Sequence, residues 1–162
     1  MRDQAHLSLL RLYQRMPTWA RRRVVRTLSP SFTVGAMCFI ERDDGRILLV
    51  RHVYRKRWGV PGGLLKRGED AADGARREVF EEVGLVIDLV GEAQVVVDAE
   101  PQRVDVVYRA RPAADTDPDA VAPGSPEILE ARWFARDAFP ELQHETVAAL
   151  MTLARAEQRL VP

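Results

Sequence analysis

The stretch Gly63-Leu64-Leu65-Lys66-Arg67-Gly68-Glu69-Asp70-Ala71-Ala72-Asp73-Gly74-Ala75-Arg76-Arg77-Glu78-Val79-Phe80-Glu81-Glu82-Val83-Gly84-Leu85 reads as a glycine-rich entry followed by one amphipathic helix. Asp70 suits an N-cap and Gly84 a C-terminal stop, which predicts a helix over 70–83. On a wheel of ~100° per residue, Glu78, Glu81 and Glu82 fall within one arc of about 100°. Ala72, Ala75, Val79, Phe80 and Val83 fill a neighbouring arc. Carboxylates this close repel, by a few tenths of a kcal/mol per pair on an exposed helix. A divalent cation reverses the sign of that interaction. Oxygen ligands without His or Cys point to Mg²⁺, with Mn²⁺ as a substitute. Gly74, one turn before Glu78, leaves room for a metal-bound phosphate, and Arg77 stands i,i+4 to Glu81, where it can hold a carboxylate. Alone, the three glutamates also fit a solvated acidic face stabilised by Arg76 and Arg77, so the surrounding sequence decides.

Upstream, Phe32 to Ile40 is a nearly continuous apolar run, expected of a buried strand. Asp43-Asp44-Gly45 is a hairpin turn signal, with Ile47 to Val50 as the returning strand. A basic, aromatic loop from Arg51 to Trp58 then leads into Gly59-Val60-Pro61-Gly62-Gly63, whose glycines let backbone approach a site closely. Downstream, Val95 to Val97 and Val104 to Tyr108 read as a strand pair. Residues 112–126 read as a Pro-rich loop, Leu129 to Phe134 as a short strand, and Glu145 to Leu160 as a closing amphipathic helix. Strands interleaved with helices predict an α/β fold with a mixed sheet packed between helices.

The first thirty residues differ in character. Leu7, Leu9, Leu10, Tyr13 and Met16, then Trp19, Ala20, Val24 and Leu28, recur at helical spacing and predict two short helices separated by Pro17. Seven arginines against Asp3 leave this arm at +6 and the rest of the chain at −6, for a net charge of zero. Its apolar residues need a partner surface, so the expectation is packing on the domain or on a twin subunit in a homodimer, with no nucleic acid as partner. The division expected is a helical extension, 1–30, and a domain, 31–162. A single cysteine, Cys38, excludes an internal disulfide framework and fits a cytoplasmic protein. No apolar run approaches the ~18 residues of a membrane span, so no membrane is expected as partner.

Residues 63–85 resemble the Nudix box, Gly-x5-Glu-x7-Arg-Glu-U-x-Glu-Glu-x-Gly-U with U a bulky aliphatic residue: Gly63, Glu69, Arg77, Glu78, Val79, Glu81, Glu82, Gly84 and Leu85 all match. With seven identities, each met by chance about once in 15, the joint chance is ~10⁻⁸ per starting frame. The Trp-Gly-x-Pro-Gly-Gly lead-in and the later Glu127 and Trp133-Phe134 extend the resemblance over roughly 32–160. It implies an α/β/α sandwich and a metal-dependent hydrolase of the diphosphate linkage in nucleoside diphosphate derivatives, nucleotide sugars such as ADP-ribose or (deoxy)nucleoside triphosphates. It implies Glu78, Glu81 and Glu82 as metal ligands with the Gly63 carbonyl joining them, and Glu69 and Arg77 as orienting members. The rival reading is a nucleotide-sensing module that binds without cleaving; such modules usually lose box carboxylates, and this chain keeps them all.

Metal-bound glutamates lose basicity, because a cation stabilises the ionised form. A separate base is therefore expected, and Glu127, six residues before Trp133, is the choice, with Glu130 and Glu78 as alternatives. Arg51, His52, Tyr54, Arg55, Lys56 and Arg57 are expected near the mouth of the site, with Arg51 and Arg55 clamping phosphate and Tyr54 stacking on a base. Pro101, 16 residues after Leu85, matches an offset seen in ADP-ribose enzymes of this family, but it also falls in a turn, Ala99 to Gln102, where proline needs no functional cause.

Overall fold

The run expected of a buried strand forms β1 (Thr33–Ile40), and it is buried on both faces. Ala36, Cys38 and Ile40 point to one side and Met37 and Phe39 to the other, the period-two alternation of a strand between two covering layers. The computed structural model describes residues 13–29 and 31–160. After β1 come β2 (Ile47–His52), β3 (Gly62–Leu64), β4 (Ile87–Asp98), β5 (Arg103–Pro112) and β6 (Ile128–Phe134). The helix carrying the acidic cluster runs Ala71–Val83, and a closing helix runs His144–Leu160. The chain divides into two compact units, the second beginning at Thr33. In the first unit, α1 (Thr18–Leu28) starts after Pro17 at its N-cap position. Leu7, Leu9 and Leu10, expected in a preceding helix, lie outside the described residues. The acidic helix is α2 and the closing helix α3.

One sheet has the order β3-β1-β5-β4 and is mixed: β1 and β5 are parallel, the other pairs antiparallel. β2 and β6 form a separate antiparallel pair. α2 packs Ala75, Val79 and Val83 against Ala36, Cys38, Ile40, Leu48 and Val50. α3 packs Ala149 and Leu153 against Met37, Phe39, Ile47 and Leu49. The result is helix, strands, helix, as expected of an α/β/α sandwich. Cys38 is fully buried in the middle, where burial pushes its thiol up to about 12.

The structure corrects one strand pairing. The turn at Asp43-Asp44-Gly45 forms, with Gly45 at φ 80°, but β1 and β2 make no hairpin beyond a single bridge between Glu41 and Ile47. Both edges of β1 are taken, by β3 and β5, so β2 turns away to pair with β6. The pair expected over 95–108 is also longer than the sequence indicated, 87–98 with 103–112, and Pro101 lies in the turn that joins them.

Pro61 and the two glycines after it serve the pairing of β3 with β1. A side chain on Gly62 (φ 156°) would stand 2.3 Å from the Ala36 carbonyl oxygen, which cannot yield because it is main chain. Gly62→Ala is expected to cost about 2 kcal/mol or more. Urea unfolding measures it; a stability equal to the parent's would show that β3 can withdraw from β1.

Candidate active site

Helix α2 begins as its cap predicts: Asp70 accepts a hydrogen bond from the Ala72 N–H at 2.8 Å. It ends at Gly84, whose φ of 69° is the left-handed conformation that favours glycine. Between these ends Ala75, Val79 and Val83 are pinned to the sheet, which fixes the rotation of the helix, while Phe80, expected on the same arc, stays exposed. Glu78, Glu81 and Glu82 therefore face a cleft of about 800 Å³, whose other walls include Gly62 and Gly63 of β3 and the segment Ser125 to Glu127.

Arg77 organises this wall. It donates from Nε to Glu69 Oε1 at 2.6 Å and from Nη2 to Glu69 Oε2 at 2.9 Å, a bidentate pair. Its Nη1 donates to Glu78 Oε1 at 2.7 Å and Glu81 Oε2 at 3.0 Å, and Nη2 also reaches the Leu64 carbonyl at 3.3 Å. The Arg77 hydrogen bonds, with the Lys66 N–H second, draw the Glu69 carboxyl down to about 2. At Glu81, desolvation pushes upward but Arg77 and Lys66 prevail, and the carboxyl is lowered.

Glu82 is different. It is buried, and desolvation raises its carboxyl despite a hydrogen bond with His52 Nε2 at 3.2 Å and another from the Gly62 N–H at 3.1 Å. Gly63 has no room for a side chain, because a Cβ there would stand 2.5 Å from the Glu78 carboxylate. Gly74 does not face the cleft as the sequence suggested. It is buried, and its missing side chain makes room for Leu65, whose Cδ2 would stand 2.3 Å from a Cβ.

Glu127 reaches the cleft because the Pro-rich loop is tied down just before it. The Gly124 N–H donates to the Glu82 carbonyl at 2.7 Å, and a Cβ on Gly124 would crowd the Glu81 carbonyl at 3.0 Å. The Val53 N–H then donates to the Glu127 carbonyl at 2.9 Å. Tyr54 and Arg55 also line the cleft. The Tyr54 hydroxyl is raised by desolvation and then by the charge of Glu127, and Arg55 pairs with Glu145 at 3.1 Å.

Arg51 and Glu130 are placed together elsewhere. Neighbours across the β2–β6 pair, they form an ion pair with each other, and Arg132 joins at 2.5 Å. The Arg51 hydrogen bond lowers the Glu130 carboxyl, and neither residue lines the cleft. Arg51 is thus corrected from the mouth of the site to a structural pair. Trp58 packs on Phe134, ring centres 5.0 Å apart.

Two residues at the site were not singled out in the sequence, Arg103 and its partner Asp105. His52, expected near the mouth with the rest of its loop, lines the cleft because Leu48 and Val50 face α2 and His52 is the next residue but one on that strand face. Arg103, which lines the cleft, and Asp105 behind it had no local signal, because only the pairing of β5 beside β1 brings Arg103 there.

The donor set is one that a divalent cation accepts: carboxylate oxygens, with a main-chain carbonyl at Gly63. A buried carboxyl whose charged form is disfavoured, Glu82, is stabilised by such an ion. Among the described residues no three His, Cys, Asp or Glu side chains already converge as a metal-binding group. Arg77 and His52 hold the acids instead, so coordination requires carboxylate rotations within the cluster.

Residues 31–153 match the model of the NUDIX domain family. A MutT-like protein of Streptomyces ambofaciens is 29% identical over 122 residues, 75% of this chain and 76% of that protein. The 8-oxo-dGDP phosphatase of Homo sapiens is 30% identical over 133 residues, and the chain spans only 38% of that protein's length. A NUDIX hydrolase structure from Nitrosomonas europaea superimposes with a TM-score of 0.67 at 24% identity, covering 80% of this chain and 74% of that one.

Because Glu69 sits at about 2 in the folded chain against an ordinary 4.5, the stability it contributes is complete above 4.5 and is lost as pH falls from there toward 2. The difference in thermal midpoint between the parent and Glu69→Gln should be largest near neutrality and shrink across that window. A difference independent of pH would show that the Glu69 charge is not what Arg77 recognises.

Proposed function

Since the chain belongs to the NUDIX family, we propose that it is a Mg²⁺-dependent pyrophosphohydrolase that cleaves a phosphoanhydride bond of nucleoside 5′-di- or triphosphates. The observation that carries this reading is the meeting, in one cleft, of three helix glutamates with a fourth carboxylate, Glu127, from a separate element. The relative named as an 8-oxo-dGDP phosphatase supports the nucleotide class. The proposed site residues all lie within the matched 31–153, which leaves the first thirty residues as an extension to the hydrolase domain.

In this reading Glu78, Glu81, Glu82 and the Gly63 carbonyl hold the cation. When bound, Mg²⁺ neutralises the charge of the phosphates and lowers the pKa of a water. The chain's own residues do the rest. Arg77 keeps Glu78 and Glu81 from turning away from the cleft. His52 and the Gly62 N–H hold Glu82 at the cleft wall until it turns to the cation. Glu127 accepts a proton from water as the water oxygen attacks phosphorus in line, and the bridging P–O bond breaks to release the second phosphate-bearing product. No bond to the protein forms at any step.

Glu82→Gln preserves shape and removes a charge. Turnover of dGTP at saturating Mg²⁺ should fall at least ~10²-fold, while the thermal midpoint without added metal should not fall. Unchanged turnover would remove Glu82 from the site. Glu127→Gln should lower kcat ~10²–10⁴-fold with little change in KM. Near-parental kcat in that variant would transfer the base to Glu78. A panel of dGTP, 8-oxo-dGTP and ADP-ribose separates the substrate classes, and cleavage of ADP-ribose alone would overturn the nucleotide di- and triphosphate reading.

A further inference from the structure

We propose that Arg103, braced by the buried Asp105, reads the nucleobase in the cleft by donating to the acceptor edge of guanine. This deepens the nucleotide reading above and rests on it. Arg103 and Asp105 lie two residues apart on one face of β5. The guanidinium donates from Nε to both Asp105 oxygens, at 2.9 and 2.8 Å, and from Nη2 to Oδ1 at 2.8 Å. Asp105 is only 5% exposed. Space for the pair exists because residue 35 on β1 is glycine: a Cβ there would stand 2.5 Å from Asp105 Oδ1 and 3.2 Å from Arg103 Nη2.

The brace leaves a defined part of the guanidinium unused. Of its five N–H groups, those of Nη1 make no hydrogen bond among the described residues, and one on Nη2 remains beside them. Arg103 lines the cleft, so this Nη1–Nη2 edge is a planar pair of donors fixed at its back. Two adjacent acceptors match it. Guanine offers them at N7 and O6, whereas adenine places a donor beside N7, and uracil offers a single oxygen on the corresponding edge.

Charge argues for a base over a phosphate here. Asp105 neutralises Arg103, and Glu145 lies within electrostatic reach of the same guanidinium. The pair therefore offers donors with little net positive charge, which suits a neutral heterocycle. Tyr54 lies within the same reach and its ring is exposed, a face on which a base can stack.

The test uses the full chain with Mg²⁺ and compares GTP with UTP. The parent should prefer GTP in kcat/KM. In Arg103→Met that preference should fall ~10–10²-fold, chiefly through KM for GTP. Arg103→Lys can still donate to the guanine acceptors but without the planar fork, and should keep a smaller preference than the parent. Thermal midpoints accompany both variants, and if one fails to fold the other decides. An equal loss on GTP and UTP would make Arg103 a phosphate clamp and overturn the proposal, as would a GTP preference unchanged in Arg103→Met. A parent with no preference for GTP would overturn it too. If the parent hydrolyses neither nucleotide, the hydrolase reading fails and equilibrium binding of GDP against UDP decides this one. A GDP preference lost in Arg103→Met upholds it, and its absence in the parent overturns it.

Discussion

One guanidinium holds the acidic wall together. Arg77 joins the loop before α2 through Glu69, the end of β3 through the Leu64 carbonyl, and the helix itself through Glu78 and Glu81. Only a planar fork with several fixed donors can serve these directions at once; a lysine ammonium at the same place could not satisfy the bidentate pair and the two helix acids together. The repulsion that Glu78 and Glu81 would feel on a bare helix is offset inside the protein by this cation before any metal is considered. The cost is that the acids are directed at the arginine, and they must rotate to meet an ion.

The second constraint is the crowding around β1. It is buried on both faces and paired on both edges, so everything near it is fitted backbone against backbone. This explains the three glycines that meet there. Gly62 lets β3 lie against β1, Gly63 lets the Glu78 carboxylate lie against β3, and Gly35 gives the Asp105 carboxylate its place beside β5. Each leaves out a side chain so that a main-chain or acidic group can approach. The acidic helix, packed over one face of β1, and Arg103, on the strand beside it, are thereby brought to the same cleft.

What could be read from the chain alone follows the range of the interactions. The ends of α2 were legible because a cap is made within two residues, by Asp70 to Ala72 at one end and Gly84 at the other. The common face of Glu78, Glu81 and Glu82 was legible because helical spacing alone sets it. The fate of β2 was not, since a turn signal states that the chain reverses and not that the two strands pair. Arg51 was misplaced for the same reason: its partner Glu130 is chosen by strand register across 79 residues. Gly74 was misread because a glycine on a helix signals a close approach but does not say by what; here it is Leu65.

The position of Cys38 carries a practical consequence. It is the single cysteine of the chain, fully enclosed between the two helical layers, with its thiol raised to about 12. Alkylation requires the thiolate, so a modifying reagent finds almost none to attack while the layers stay closed. The rate of labelling is then a clock for the opening of the whole sandwich, read from one natural atom. The same protection leaves the rest of the surface open to engineered cysteines, each of which could be labelled selectively in the native protein without first removing Cys38.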